Sequence, residues 1–320
     1  MPGARSPTLA RSPGARSVTY RLFSCGLQRP HELNVFALEN ARCFYELLFS
    51  ASASAALEMA ADPKHLGAEI GMISILHTWG QNLLLHPHVH CLIPAGGIAP
   101  NHKTWTTPPY RFFLPVKVLA RVFRDKFLDG LERLYRGKKI CQAGPAALLG
   151  SPKRFDRLLS RLRRKKWVVY AKPAFGGPQQ VLRYLGRYTH RVAISNHRLT
   201  SFDGERVTFR WRDYAHGNQQ RSMTLAADEF LRRFFLHVLP KGFVRIRHFG
   251  FLANRCRTAR LQLCRQLLSC SPPPAIITSN TTTGEPRPTW KCPQCGAPME
   301  LLLRLTPQEL VSRHRFFDSS

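Results

Sequence analysis

Apolar residues recur at helical spacing through residues 34–59 (NVFALENARCFYELLFSASASAALEM), a period that predicts one long helix. Two mostly apolar runs follow, GMISILHTWG and HVHCLIPAGGI, joined by QNLLLHP, and they read as neighbouring strands. Residues 116–135 carry a second amphipathic helical pattern that includes Arg121, Arg124, Lys126 and Arg133. In residues 151–166 (SPKRFDRLLSRLRRKK), Leu158, Leu159 and Leu162 keep helical spacing inside a dense run of positive charge. WVVYAKPAF is a short β-like run, after which GGP opens a helix containing QQVLRYLGRYTHRV. VTFRW (207–211) alternates as a strand does, and DEFLRRFFLHVLP is helical again. Strands interleaved with helices predict an α/β (α+β) fold with a central sheet flanked by helices.

The two ends have a different texture. Residues 1–30 repeat Ala-Arg-Ser three times and hold no acid, so they read as an atypical, disordered leader that adds nothing to the core. An organelle transit peptide, an unstructured tail and a mis-assigned start all fit that composition. Residues 271–290 are a Pro/Thr-rich linker leading to a short tail with one CPQC. The predicted organisation is a leader (1–30), one catalytic-sized domain (31–268), and a linker with tail (269–320).

Charge changes the picture most. The 320 residues hold 48 Lys and Arg against 19 Asp and Glu, a formal +29, which points to a polyanion and first of all to nucleic acid. A merely solvated basic surface is the bland alternative. No stretch approaches the roughly 18 uncharged apolar residues of a membrane-spanning helix, so no membrane role is expected. There is no GxxxxGK[ST] loop to cradle a nucleotide, so no ATP is expected either. Nine scattered cysteines suit a reducing cytosolic interior better than a disulfide framework.

Three constellations carry candidate chemistry. His88 and His90 flank Val89, and on a strand they project to one face with their backbones about 7 Å apart, close enough to share a metal ion. With 13 histidines in the chain such a pair also arises by chance. His77, on the preceding strand, and Gln81, in the connection, are the candidates for a third ligand, while a hydrogen-bonded core histidine is the other reading of His77. Second, Tyr184 and Tyr188 share a helix face beside a ridge of Arg183, Arg187 and Arg191, an arrangement suited to holding a phosphodiester while a phenol attacks it. Packing tyrosines, or a helix that only faces nucleic acid, fit the same pattern. Arg163, Arg164, Lys165 and Lys166 add a further candidate DNA-contacting run. Third, Cys292 and Cys295 are half of a zinc knuckle with no well-spaced partners, so zinc lacks a complete site.

The combination is more specific than its parts. LHTWGQNLLLHPHVHCLIPAGG, then WVVYAKPAFGGPQQVLRYLGRYTHRVAISNHRL, FRWRDYAHGN and FVRIRHFGFLANR, resemble the rolling-circle transposases of bacterial insertion sequences. These are tyrosine transposases of the HUH endonuclease superfamily, and the resemblance is to the two-tyrosine group, running from about Pro30 to Leu268. It implies an HUH-type core with a five-stranded, mainly antiparallel sheet. It implies His88 and His90 as metal ligands, with His77 first and Gln81 second as candidates for the third. It implies Tyr184 and Tyr188 as nucleophiles. A divalent metal (Mg²⁺ or Mn²⁺) and single-stranded DNA at insertion-sequence ends would be cofactor and partner, in a bacterial cytoplasm at the nucleoid. Cleavage would leave a 5′-phosphotyrosine, and strand transfer would follow from it. Members of the group begin with a Cys/His-rich zinc module that these residues lack, and SVTYRLFSCGLQ is a poor match to the edge strand expected before PHELN. A truncated copy, short of a sheet strand, is therefore expected. The rival readings are a catalytically impaired remnant that only binds DNA and a basic RNA-associated protein.

Overall fold

A computed structural model describes residues 22–108, 114–141, 151–173, 186, 193–269, 290–291 and 298–299. Its first element is a strand, β1 (Leu22–Gln28), followed by helices α1 (Asn34–Glu39) and α2 (Ala41–Ala61). The hairpin β2 (Gly71–Trp79) and β3 (Leu85–Pro94) comes next, then the short strands β4 (Gly97–Ile98) and β5 (Trp105–Thr106). Helices α3 (Val116–Arg136) and α4 (Pro152–Arg164) lead into β6 (Val168–Pro173). Strands β7 (Leu199–Phe202), β8 (Arg206–Asp213) and β9 (Gln219–Ala226) form a separate three-stranded sheet. Helix α5 (Ala227–Phe235), strand β10 (Ile246–Gly250) and helix α6 (Arg257–Leu267) follow. The chain divides into two units, Met1–Ser271 and Pro272–Ser320; in the second, β11 (Trp290–Lys291) pairs antiparallel with β12 (Pro298–Met299).

The main sheet has five strands in the order β10-β2-β3-β1-β6, every neighbouring pair antiparallel. That is the α/β architecture read from the sequence. Strand alternation gives the sheet two different faces. Phe23, Cys25 and Leu27 of β1, Met72 and Leu76 of β2, and Val89, Cys91 and Ile93 of β3 enter one core with Phe36, Phe44, Phe49, Phe123 and Phe127 from the helices. The residues between them on the hairpin, His77, His88 and His90, belong to the opposite face. Alanines at 51, 53, 55, 56 and 60 keep α2 slim enough to lie close to the sheet, and Gly130 of α3 accepts Leu47 of α2 where a Cβ would collide. Among the described residues no helix is long and apolar enough to cross a membrane.

Two expectations need correction. The segment read as a leader contains an interior strand: β1 lies between β3 and β6, and Phe23, Cys25 and Leu27 are at most 2% exposed. The boundary at residue 30 is therefore too late, and the supposedly missing strand is supplied by LFSCGLQ. Its large-small alternation of Phe, Cys and Leu with Ser and Gly is what an internal strand needs. The single helix over 34–59 is two helices broken at Asn40 (φ −130°, ψ 38°). Asn40 donates to the carbonyl of Cys141 at 3.0 Å and accepts from its N–H at 2.6 Å, so the side-chain amide is better satisfied by leaving the helical path. The helix predicted around QQVLRYLGRYTHRV lies outside the described residues except for Gly186, which is helical and exposed.

Candidate metal centre

The β2–β3 hairpin builds the site. Its register sets His77 opposite His88, and β1 on the other side sets Gly26 opposite His90. Two histidines two residues apart must share a face, and the register brings the third beside them. Ring centroids are 5.2 Å apart for His77 and His88, 4.2 Å for His77 and His90, and 4.9 Å for His88 and His90. One nitrogen from each falls within 4.8 Å of the others, and this is the metal-capable His/Cys/Asp/Glu cluster among the described residues.

The surroundings prepare these rings as ligands. His88 donates from Nδ1 to the carbonyl of His86 at 2.6 Å, which fixes the tautomer and leaves the Nε2 lone pair facing His90 Nε2 at 3.0 Å. Burial, reinforced by the neighbouring histidines, holds His77 and His88 well below the usual imidazole range. Burial and His86 push His90 down to about 4. All three are therefore neutral near pH 7, the form that coordinates metal. His77 is stacked between His90 and Trp79, the latter at 5.6 Å and 3° from parallel. Arg245 caps this column with its guanidinium 4.8 Å from the Trp79 ring while donating to the carbonyl of Leu76 at 3.2 Å.

The connection between the two strands is braced from outside. His237 bonds the carbonyl of Leu83 at 3.0 Å and the hydroxyl of Thr78 at 3.3 Å. Behind the site, the buried Arg29 donates to Pro30 and Asn34, and Asn34 in turn donates to the carbonyl of Leu85 at 2.9 Å. On the β6 side, Gly26 leaves room for the Tyr170 ring, which a Cβ would overlap, and that ring reaches to 6.2 Å from His90 in an edge-on approach.

The other candidate residues fare differently. Gln81 sits in the connection beyond Trp79, where its carbonyl accepts from Arg198. Arg163 is bound to Asp129 at 3.1 Å and Glu132 at 3.4 Å, and Lys165 pairs with Glu32, so both have partners within the chain. Arg164 and Lys166 are exposed at the end of α4. Tyr184, Tyr188, Arg183, Arg187, Arg191, Cys292 and Cys295 lie outside the described residues. Sequence reasoning passed over Tyr170, Trp79 and Arg245. Trp79 shares the hairpin face of His77 by simple alternation and could have been named; Tyr170 arrives from β6 and Arg245 from just before β10, segments whose neighbours no local pattern reveals.

An antiparallel five-stranded sheet carrying a histidine pair on one strand, with a third histidine on the next, makes a metal-capable α/β core. Residues 71–260 match the Y2_Tnp family, described as "Putative transposase", and the chain belongs to that family. It is 52% identical over 244 residues to "Putative transposase y4qJ" of Sinorhizobium fredii (strain NBRC 101917 / NGR234), covering 76% of this chain and 61% of that protein. It is 28% identical over 196 residues to "Transposase for insertion sequence element IS801" of Pseudomonas savastanoi pv. phaseolicola, covering 60% of this chain and 45% of that one. The chain thus spans less than two thirds of the length of these curated relatives. No solved structure matches.

Proposed function

We propose that the protein cleaves and rejoins single-stranded DNA at insertion-sequence ends during transposition. A divalent ion would be held by His77, His88 and His90, and Tyr184 or Tyr188 would be the nucleophile. The observation that carries this reading is the convergence of three neutral imidazoles on one sheet face in a member of a transposase family. Buried, uncharged nitrogen donors with a fixed tautomer fit a divalent metal, and three imidazoles suit Mn²⁺ better than Mg²⁺, which prefers oxygen. When bound, the ion supplies Lewis-acid polarisation of the scissile phosphate.

The chain's own residues supply orientation and the nucleophile. The carbonyl of His86 keeps His88 Nε2 unprotonated, and Trp79 with His90 holds the His77 ring in plane. A tyrosine oxygen attacks phosphorus as the bond to the 3′ oxygen breaks. The phenolic proton leaves, the 3′ oxygen takes one up, and the products are a 5′-phosphotyrosine and a free 3′-hydroxyl. Because the ester bond is exchanged rather than hydrolysed, a second strand's 3′-hydroxyl can reverse the reaction without ATP. Arg183, Arg187 and Arg191, spaced along the tyrosine segment, serve as cations for the phosphate. Such a protein works on the nucleoid in a bacterial cytoplasm.

The test mixes the full chain with single-stranded oligonucleotides carrying an insertion-sequence end and Mn²⁺, and looks for a covalent protein–DNA adduct on a denaturing gel. The expected result is an adduct that is lost in Y184F/Y188F and retained, at reduced level, in one of the single variants. Binding without adduct across several end sequences would leave a DNA-binding protein that does not cleave.

A further inference from the structure

Strands β7, β8 and β9 make a second sheet whose two faces differ sharply. Phe209 points inward against Phe230 and Phe234 of α5, and Val207, two residues before it, is buried as well. Alternation turns Arg206, Thr208, Arg210 and Arg212 of β8 to the other side. The register places Ser222 of β9 opposite Arg210 and Thr224 opposite Thr208, and the two threonine hydroxyls meet at 2.9 Å, which fixes them on that same face. Arg206, Arg210, Ser222 and Thr224 are exposed. The one acid in these three strands, Asp213, lies on the inner side, 5% exposed and bound to His216 and Arg221.

We propose that this outer face is a metal-independent platform for the phosphate backbone of duplex DNA, separate from the histidine centre. Three guanidiniums among hydroxyls, with no acid on the strands' outer positions and Asp203 and Glu205 confined to the turn before Arg206, complement a polyanion, and Arg and Ser/Thr side chains are the usual partners of phosphate oxygens. Arg210 donates one N–H to the carbonyl of His197 at 2.9 Å, which aims the guanidinium and leaves other donors for a phosphate. The face carries no aromatic ring on which a single strand's bases could stack, which favours the duplex. The platform is also tied to the metal-bearing hairpin: Arg198 donates to the carbonyl of Gln81, and Arg233 to that of Asn82 at 3.2 Å. Duplex held here is thereby indexed to the strand ends processed at the histidines. The choice of DNA rests on the function proposed above; the surface itself does not depend on the chemistry.

The experiment measures binding of the full chain to a short duplex of random sequence in EDTA, over a salt series. Substituting R206S, R210Q and R212Q together is expected to weaken binding on every sequence. It is also expected to lower the slope of log affinity against log salt by about two to three, since each phosphate contact contributes about 0.9. S222E/T224E, which leaves the arginines in place but adds carboxylates to the face, is expected to weaken binding in the same direction and provides the test if the triple variant does not fold. Unchanged affinity and slope in a folded variant, or no duplex binding by the wild-type chain in EDTA, overturns the proposal. Because no metal or tyrosine enters the readout, a platform failure and a failure of the cleavage reading are told apart.

Discussion

His88→Ala is expected to lower metal-dependent strand cleavage roughly 10³-fold or more. Lewis-acid stabilisation of a developing phosphate charge is worth several kcal/mol, and each 1.36 kcal/mol is a factor of ten. His88 is held from several sides. It sits between Gln28 of β1 and His77 of β2, its Nδ1 is committed to the carbonyl of His86, and its Nε2 faces His90. Losing it removes one donor and opens a gap between the other two. The loss is expected to be confined to chemistry, so DNA affinity measured in EDTA stays at the wild-type level while Mn²⁺ no longer raises the cleavage rate. His77→Ala is expected to behave alike, with the added loss of the partner on which Trp79 stacks. Cleavage by His88→Ala at a rate near wild type would remove the metal from the mechanism.

A chain deleted of residues 1–30 is expected not to fold. Such a deletion follows naturally from the leader-like composition of this segment, yet it removes β1 from the middle of the sheet. Strands β3 and β6 would each lose a hydrogen-bonded neighbour. Phe23, Leu27 and Cys25 would leave a hole beneath the helices. Burial of one large apolar side chain is worth about 1.5–3 kcal/mol against a total stability of about 5–15 kcal/mol. The loss of two such side chains and both rows of strand hydrogen bonds is therefore enough to unfold the domain. Buried Arg29, which ties β1 to Pro30 and Asn34, goes as well. Thermal unfolding followed by circular dichroism is expected to show no cooperative transition. A truncated chain that melts cooperatively near the full-length temperature would mean that β1 is dispensable.

The same strand shows what could be read from the sequence and what could not. The hairpin was legible because β2 and β3 are long apolar runs, and the spacing of His88 and His90 fixes their common face whatever the rest of the fold does. α3 and α4 were legible for the parallel reason of helical period. β1 was misjudged because arginine, serine and proline before it dominate the composition, although Phe23, Cys25 and Leu27 already alternate with small or polar residues. The break at Asn40 follows from hydrogen bonds to Cys141, 101 residues away, which no local pattern can announce. β7 and β9 escaped because their outward positions are polar and their inward ones few. Convergence of His77 on the pair depends on strand register, and the placement of Tyr170 depends on β1 lying between β3 and β6, which only the folded sheet determines.

Electron spin-echo spectroscopy of the Mn²⁺-loaded full chain addresses the metal assignment most directly, because it detects nitrogen coordinated to the ion. Coupling from bound imidazole is expected in the wild type, weakened in each of His77→Ala, His88→Ala and His90→Ala, and absent when all three are replaced. Bound Mn²⁺ without nitrogen coupling, or coupling that survives the triple substitution, would contradict the histidine centre on which the proposed strand cleavage rests.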